Sequence, residues 1–131
     1  MGVDIHGWVE IKDLGKWHSV FNIEPIMGRN YAMFATLFDI REERNIGIAP
    51  VAPYRNLPKD VADITREQFE LYEEDAYGVS WIVWEEINQM LKNQKFMDII
   101  DGSWELLFSV MRILSTHYGT KNVRLVVWFL S

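Results

Sequence analysis

The chain has 131 residues, 49% of them apolar and 14% aromatic, with six Trp, seven Phe and no Cys. This is the size and composition of one globular domain, residues 1–131, with a core of its own; it excludes a disulfide scaffold, thiol catalysis and Cys-based metal sites. A formal net charge of -6 argues against nonspecific duplex DNA binding, and the longest apolar stretch, 125–130, is far too short to span a bilayer.

Residues 1–20 show neither a secretory nor a transit signal, so with no Cys present the expected setting is cytoplasmic. The opening Asp4-Ile5-His6-Gly7-Trp8-Val9-Glu10 alternates with the two-residue period of a strand. Asp4, His6, Trp8 and Glu10 fall on one face, and Val3, Ile5, Val9 and Ile11 on the other. Asp13-Leu14-Gly15-Lys16 is turn chemistry, which predicts a hairpin of strands 3–12 and 16–22. Asn30 is placed to cap a helix over 31–41, with Phe34, Leu37 and Phe38 facing the core.

From 42 to 63, Pro50, Pro53 and Pro58 forbid a continuous helix or a central strand, and a loop of this length inside a compact domain is often functional. A helix is expected from Thr65 through residue 74 with Phe69 and Tyr72 inward, followed by an extended segment over 79–84 and a helix through 93. Ser103 is the expected cap of a helix over 104–118 with a core stripe of Leu107, Val110, Met111 and Leu114, stopped at Gly119. The nearly unbroken apolar run over 123–130 predicts a buried central strand, with Arg124 as its exception. The expected architecture is α+β: a small, mostly antiparallel sheet that includes both chain ends, packed with three to four helices.

Asp4, His6 and Glu10 carry donors suited to a divalent cation or to acid–base work, although only Asp4 and His6 are close neighbours on the strand; a satisfied structural pair is the commoner outcome. In Gly28-Arg29-Asn30-Tyr31, an arginine stands at a helix N-terminus, where guanidinium and backbone N–H groups together suit a phosphate. The plainer reading has Asn30 as a cap, Tyr31 packed and Arg29 in a surface ion pair. Arg41, Arg55 and Arg124 add cations, and Trp8, Trp81 and Trp128 are flat rings on which a base could stack. No P-loop, dinucleotide fingerprint or nucleophile elbow is present, so no cofactor is expected.

These residues fall in an ordered set of motifs that resembles a family of small phage and prophage proteins. The family's opening Met-x-x-Asp-Ile-His with a following Glu is similar to Met1, Asp4, Ile5, His6 and Glu10. Its Gly-Arg-Asn-Tyr, Leu-Phe-Ala motif resembles Gly28 to Tyr31 followed by Met33-Phe34-Ala35, and Asp39 with Arg41 matches the end of that helix. Arg55-Asn56-Leu57-Pro58-Lys59-Asp60, the stretch from Asp75 to Trp81, and Asn122-Val123-Arg124 resemble the remaining motifs. The chain has Tyr77 where many relatives carry His, and Gly78 where Ser is common. The resemblance implies a phage protein acting in an infected bacterial host, and it brings no activity with it.

By analogy with phage proteins that sequester the nucleotide signals of bacterial immunity, the leading expectation is a binding module for a small nucleotide-like ligand. It would be more a binder than an enzyme, without duplex nucleic acid or a membrane as partner, and compatible with a homo-oligomer. Its ligand set would be Asp4, His6, Trp8, Arg29, Asn30, Tyr31, Arg41, Arg55, Trp81 and Arg124. One alternative is a metal-dependent phosphodiesterase using Asp4, His6 and Glu10, with Asp4 and His6 on the metal. The other is a protein-binding inhibitor of a host enzyme. Two placements carry the leading expectation: Arg124 joins Asp4 and His6 on one face, and Trp81 stands as an aromatic wall beside Arg29.

Overall fold

The structure, a computed structural model, describes residues 2–131; Met1 of the opening motif lies outside them. Strands β1 (Asp4–Asp13) and β2 (Lys16–Asn22) form the expected hairpin. With β3 (Tyr77–Val83) and β4 (Val123–Leu130) they make one antiparallel sheet in the order β2-β1-β4-β3. The final strand is therefore central, as its apolar run requires, and its register against β1 runs from Asp4 opposite Leu130 to Ile11 opposite Val123. Gly7 makes this pairing close, because a Cβ there would stand 2.0 Å from the Val126 carbonyl oxygen.

The alternation of β1 sorts the molecule into layers. Val3, Ile5, Val9 and Ile11 join Leu125, Val127 and Phe129 on a core face. Against it pack α1 (Tyr31–Phe38), α3 (Trp84–Met90) and α5 (Gly102–Tyr118), through Phe34, Phe38, Ile87, Trp104, Leu107 and Met111. Asn30 caps α1 as expected, its Oδ1 accepting from the Met33 N–H at 3.1 Å. The helix ends at Phe38 rather than at Arg41, since Asp39 and Arg41 both turn left-handed and a 3-10 turn follows at Glu42–Arg44.

The opposite face bears Asp4, His6, Glu10, Arg124, Val126 and Trp128, and it too is covered. The proline-bearing segment leaves α1 with the Ala52 N–H on the Leu37 carbonyl, then rounds the β3 edge with the Asn56 N–H on Val79. It next crosses the second face as α2 (Asp63–Glu70), where Thr65 meets Ser19 of β2 at 2.7 Å and the Phe69 ring stands 5.4 Å from that of Trp128. A strap thus runs over the sheet from one edge to the other, and this is why β4 is buried on both sides.

Further details differ from the sequence expectation. Helix α2 starts at Asp63 and ends at Glu70 instead of running from Thr65 through residue 74, and Tyr72, expected inward, is 37% exposed in the turn that follows. A fifth helix, α4 (Gln94–Met97), is one turn long and too short to show periodicity. Asp101, not Ser103, caps α5, its Oδ1 accepting from the Trp104 N–H at 3.1 Å while the Ser103 hydroxyl donates to the same carboxylate. Val110 of the expected core stripe is half-exposed and outside the core, because α5 is rolled to bury Trp104, Leu107, Phe108 and Met111.

Candidate functional site

The polar face of β1 divides into two separate groups, because Asp4 lies six residues from Glu10 along the strand. At the Asp4 end, the Arg29 Nε donates to Asp4 at 2.8 Å with both side chains more than half exposed. The Arg29 hydrogen bond outweighs a slight burial and lowers the Asp4 pKa below its ordinary value. The Tyr31 hydroxyl accepts from the Val3 N–H at 3.2 Å, and the Arg41 guanidinium lies over the Tyr31 ring at 4.4 Å. Asn30, besides capping α1, donates to the Ile99 carbonyl at 2.8 Å and to Asp101 at 3.2 Å, tying α1 to the start of α5. Arg29, Asn30 and Tyr31 thus each have a partner within the fold.

At the other end lies a buried ionic cluster. Glu10 is 0% exposed and Arg124 5% exposed; Arg124 donates to Glu10 at 2.7–2.8 Å from two nitrogens, while the other Glu10 oxygen accepts from the Ala62 N–H at 3.1 Å. Arg124 also donates to the Asp60 carboxylate at 3.0 Å, Trp17 Nε1 donates to the same carboxylate at 3.1 Å, and the guanidinium stacks over the Trp17 ring at 3.8 Å. Burial pushes the Asp60 pKa upward, but the hydrogen bond and charge of Arg124 prevail and hold it below the usual carboxylate value.

The expected joining of Arg124 to Asp4 is therefore corrected. Both residues lie on the face of β1 and β4 opposite the core, but antiparallel register sets Arg124 against Glu10 and Asp4 against Leu130. The Asp4–His6–Glu10 constellation is dispersed for the same reason. Asp4 is held by Arg29, Glu10 by Arg124, and the His6 ring stands between Trp128 at 6.4 Å and Tyr72 at 5.7 Å with Nδ1 3.4 Å from Glu24. Among the described residues, no group of three His, Asp or Glu is arranged to hold a metal ion.

Arg55 and Trp81 do come together, next to Arg124. The Arg55 guanidinium lies 4.7 Å from the centre of the Trp81 ring and grips Glu86 with both terminal nitrogens, at 2.7 and 2.8 Å. Burial raises the Glu86 pKa, but the Arg55 bond and the Val83 N–H pull it below its ordinary value on balance. Left-handed backbone at Tyr54 and Asn56 turns the chain sharply on either side of Arg55. Between this pair and the ionic cluster opens a cleft of about 460 Å³, lined by Arg55, Leu57, Pro58, Lys59, Trp81 and Arg124 among others. Lys59 is exposed at its rim and makes no ion pair among the described residues.

Trp81 therefore stands beside Arg55, not beside Arg29 as expected, since it pairs with Val126 while Arg29 lies at the Leu130 end of the sheet. Trp128 is buried beneath Phe69 and offers no free ring face, whereas Trp8 is half-exposed. Sequence reasoning missed Trp17 and Glu86, which no local pattern marks, and it named Asp60 and Lys59 only as parts of a motif. No helix among the described residues is long and apolar enough to cross a membrane. No protein-family model, curated protein or solved structure matches this chain.

Proposed function

We propose that this protein is a small-ligand-binding protein of phage origin that captures a phosphorylated, nucleotide-like signal of bacterial antiviral immunity without cleaving it. The observation that carries the reading is the cleft in which Arg55, stacked on Trp81, and Lys59, which makes no ion pair among the described residues, stand within one space of about 460 Å³. That volume is in the range of small-molecule pockets. A base can lie on the flat guanidinium–indole wall, and Lys59 supplies the charge for a phosphate. Arg55 and Arg124 are already held by carboxylates, so their part is to shape the wall, and the free cation at the rim does the gripping.

Sequestration is favoured over phosphodiester cleavage because Asp4, His6 and Glu10 are each engaged separately and none of them lines the cleft. The test is calorimetric titration of the full chain against cyclic dinucleotides and cyclic ADP-ribose derivatives, followed by chromatography of the released ligand. Binding with intact recovery is expected, weakened by Lys59→Ala and by added salt. Failure of every member to bind overturns the reading, and recovery of a hydrolysed product replaces it with the phosphodiesterase.

A further inference from the structure

A flat wall accepts any nucleobase, because every base has a π-face, so discrimination between bases requires a hydrogen-bonding group beside that wall. Most polar groups that line the Trp81 cleft are already engaged. Each terminal nitrogen of Arg55 makes one bond to Glu86 and one to a backbone carbonyl, that of Trp81 or of Val51. Arg124 is committed to Glu10 and Asp60, and the Asp60 oxygens accept from Arg124 and from Trp17. Leu57 and Pro58 offer apolar surface, and Lys59 offers charge at the rim. The neutral side chain there with both a donor and an acceptor to give is the Asn56 amide, which is exposed, lines the cleft and makes no hydrogen bond to another described residue.

The backbone holds this amide in place. The Asn56 N–H donates to the Val79 carbonyl at 2.9 Å, and the preceding Arg55 N–H donates to the Ser80 Oγ at 3.2 Å, so both residues are fixed to β3 beside Trp81. Asn56 has φ +69°, a left-handed conformation that Asn adopts more readily than most residues. Glycine would meet that backbone requirement equally well, without setting an unengaged amide in the cleft.

An amide presents one donor and one acceptor side by side. Adenine answers with its N6 amino donor next to a ring-nitrogen acceptor, on whichever of its two edges is turned to the amide. Guanine has two acceptors on its O6/N7 edge, and on its O6/N1 edge its 2-amino group calls for a second acceptor that the amide does not supply. We infer that Asn56 reads the edge of the base and that the ligand of this cleft is an adenine nucleotide, its base on the Arg55–Trp81 wall and a phosphate at Lys59. The inference rests on the proposed capture of a nucleotide-like signal and names the class of nucleotide captured.

Calorimetric titration of the full chain with cyclic di-AMP and cyclic di-GMP, which share a backbone and differ only in the base, tests it. The wild type should bind cyclic di-AMP about fivefold or more tightly than cyclic di-GMP, the low end of what one bidentate base contact discriminates. Asn56→Gly keeps the left-handed turn and removes the amide, so the two affinities should come within about twofold of each other. Asn56→Asp also tolerates the turn, and its carboxylate offers two acceptors, which suit the N1–H and 2-amino donors of guanine and leave the adenine ring nitrogens without a donor. Its added charge weakens both ligands, but the preference should reverse to favour cyclic di-GMP by about fivefold or more. A wild type that binds nucleotides without favouring cyclic di-AMP, or a preference that survives Asn56→Gly or fails to reverse in Asn56→Asp, overturns the inference and leaves the sequestration reading standing. A wild type that binds no nucleotide of the panel overturns both.

Discussion

Replacing Glu10 by Gln keeps the shape of the side chain and removes the charge that neutralises Arg124 inside the protein. Both partners are nearly inaccessible, at 0% and 5% exposure, and Arg124 directs two of its nitrogens to one Glu10 oxygen. Breaking a buried pair from one side costs about 3–5 kcal/mol, most of it the penalty of leaving the remaining charge without its counter-ion. Asp60 and the Trp17 ring still face the guanidinium, but the Asp60 side chain is 64% exposed and binds from the solvent side, so the loss should fall at about 3 kcal/mol, the lower end of that range. At roughly 2.1 cal/mol/K of unfolding entropy per residue, this chain would melt about 11 °C lower. Urea titration followed by tryptophan fluorescence and a thermal scan measure both quantities. A loss under about 1 kcal/mol, the size expected of an exposed pair, would refute the account of this cluster as a buried one. Changing Glu10 and Arg124 together to Met should recover most of the stability, because no charge is then stranded.

At the other end of β1, Asp4→Ala should cost less than about 1 kcal/mol, as its pair with Arg29 is solvent-exposed and screened; chemical denaturation of the variant checks this. Gly7→Ala should destabilise by about 3 kcal/mol or more, since its methyl would meet the Val126 carbonyl and force β1 away from β4; a drop in urea midpoint at unchanged slope is the expected readout. The strap should loosen in acid. Asp60 and Glu86 have folded pKa values below their ordinary 3.8 and 4.5, so the stability they contribute is complete above those values and is lost as pH falls through the lower folded ones. Protection of the strap's amides, with the intrinsic pH dependence of exchange divided out, should fall below about pH 4 before that of β4, and unchanged protection down to pH 2 would contradict this.

The face assignments were legible because strand alternation is strict: the first seven residues of β1 separate the core side from the polar side without ambiguity. The central place of β4 was legible too, since a strand apolar on both sides must be covered on both. Register was not. Whether Arg124 meets Asp4 or Glu10 depends on how far two strands more than a hundred residues apart slide past each other, and that is settled by the summed packing of the core face. The partners of Arg55 and Arg124 were invisible for a related reason, since Glu86 and Asp60 come from segments whose approach exists only once the strap has crossed the sheet. Gly78 shows a local departure with a tertiary cause: it sits at a bulge of β3 with φ +62°, where a Cβ would come within 2.5 Å of Ile40. Any side chain with a Cβ, even that of Ser, would not fit here without a shift.

The strap is fastened at two points, once to the sheet and once to α3, by arginines that work in opposite directions. Arg124 reaches from a strand to a carboxylate on the strap, and Arg55 reaches from the strap to a carboxylate on α3. Between those fastenings the chain is short and carries the whole wall of the cleft except Trp81 and Arg124. Residues from Leu57 to Lys59 can therefore change in size and charge while the two anchors keep the ends in place, so the shape of the cleft can diverge without rebuilding the sheet beneath it.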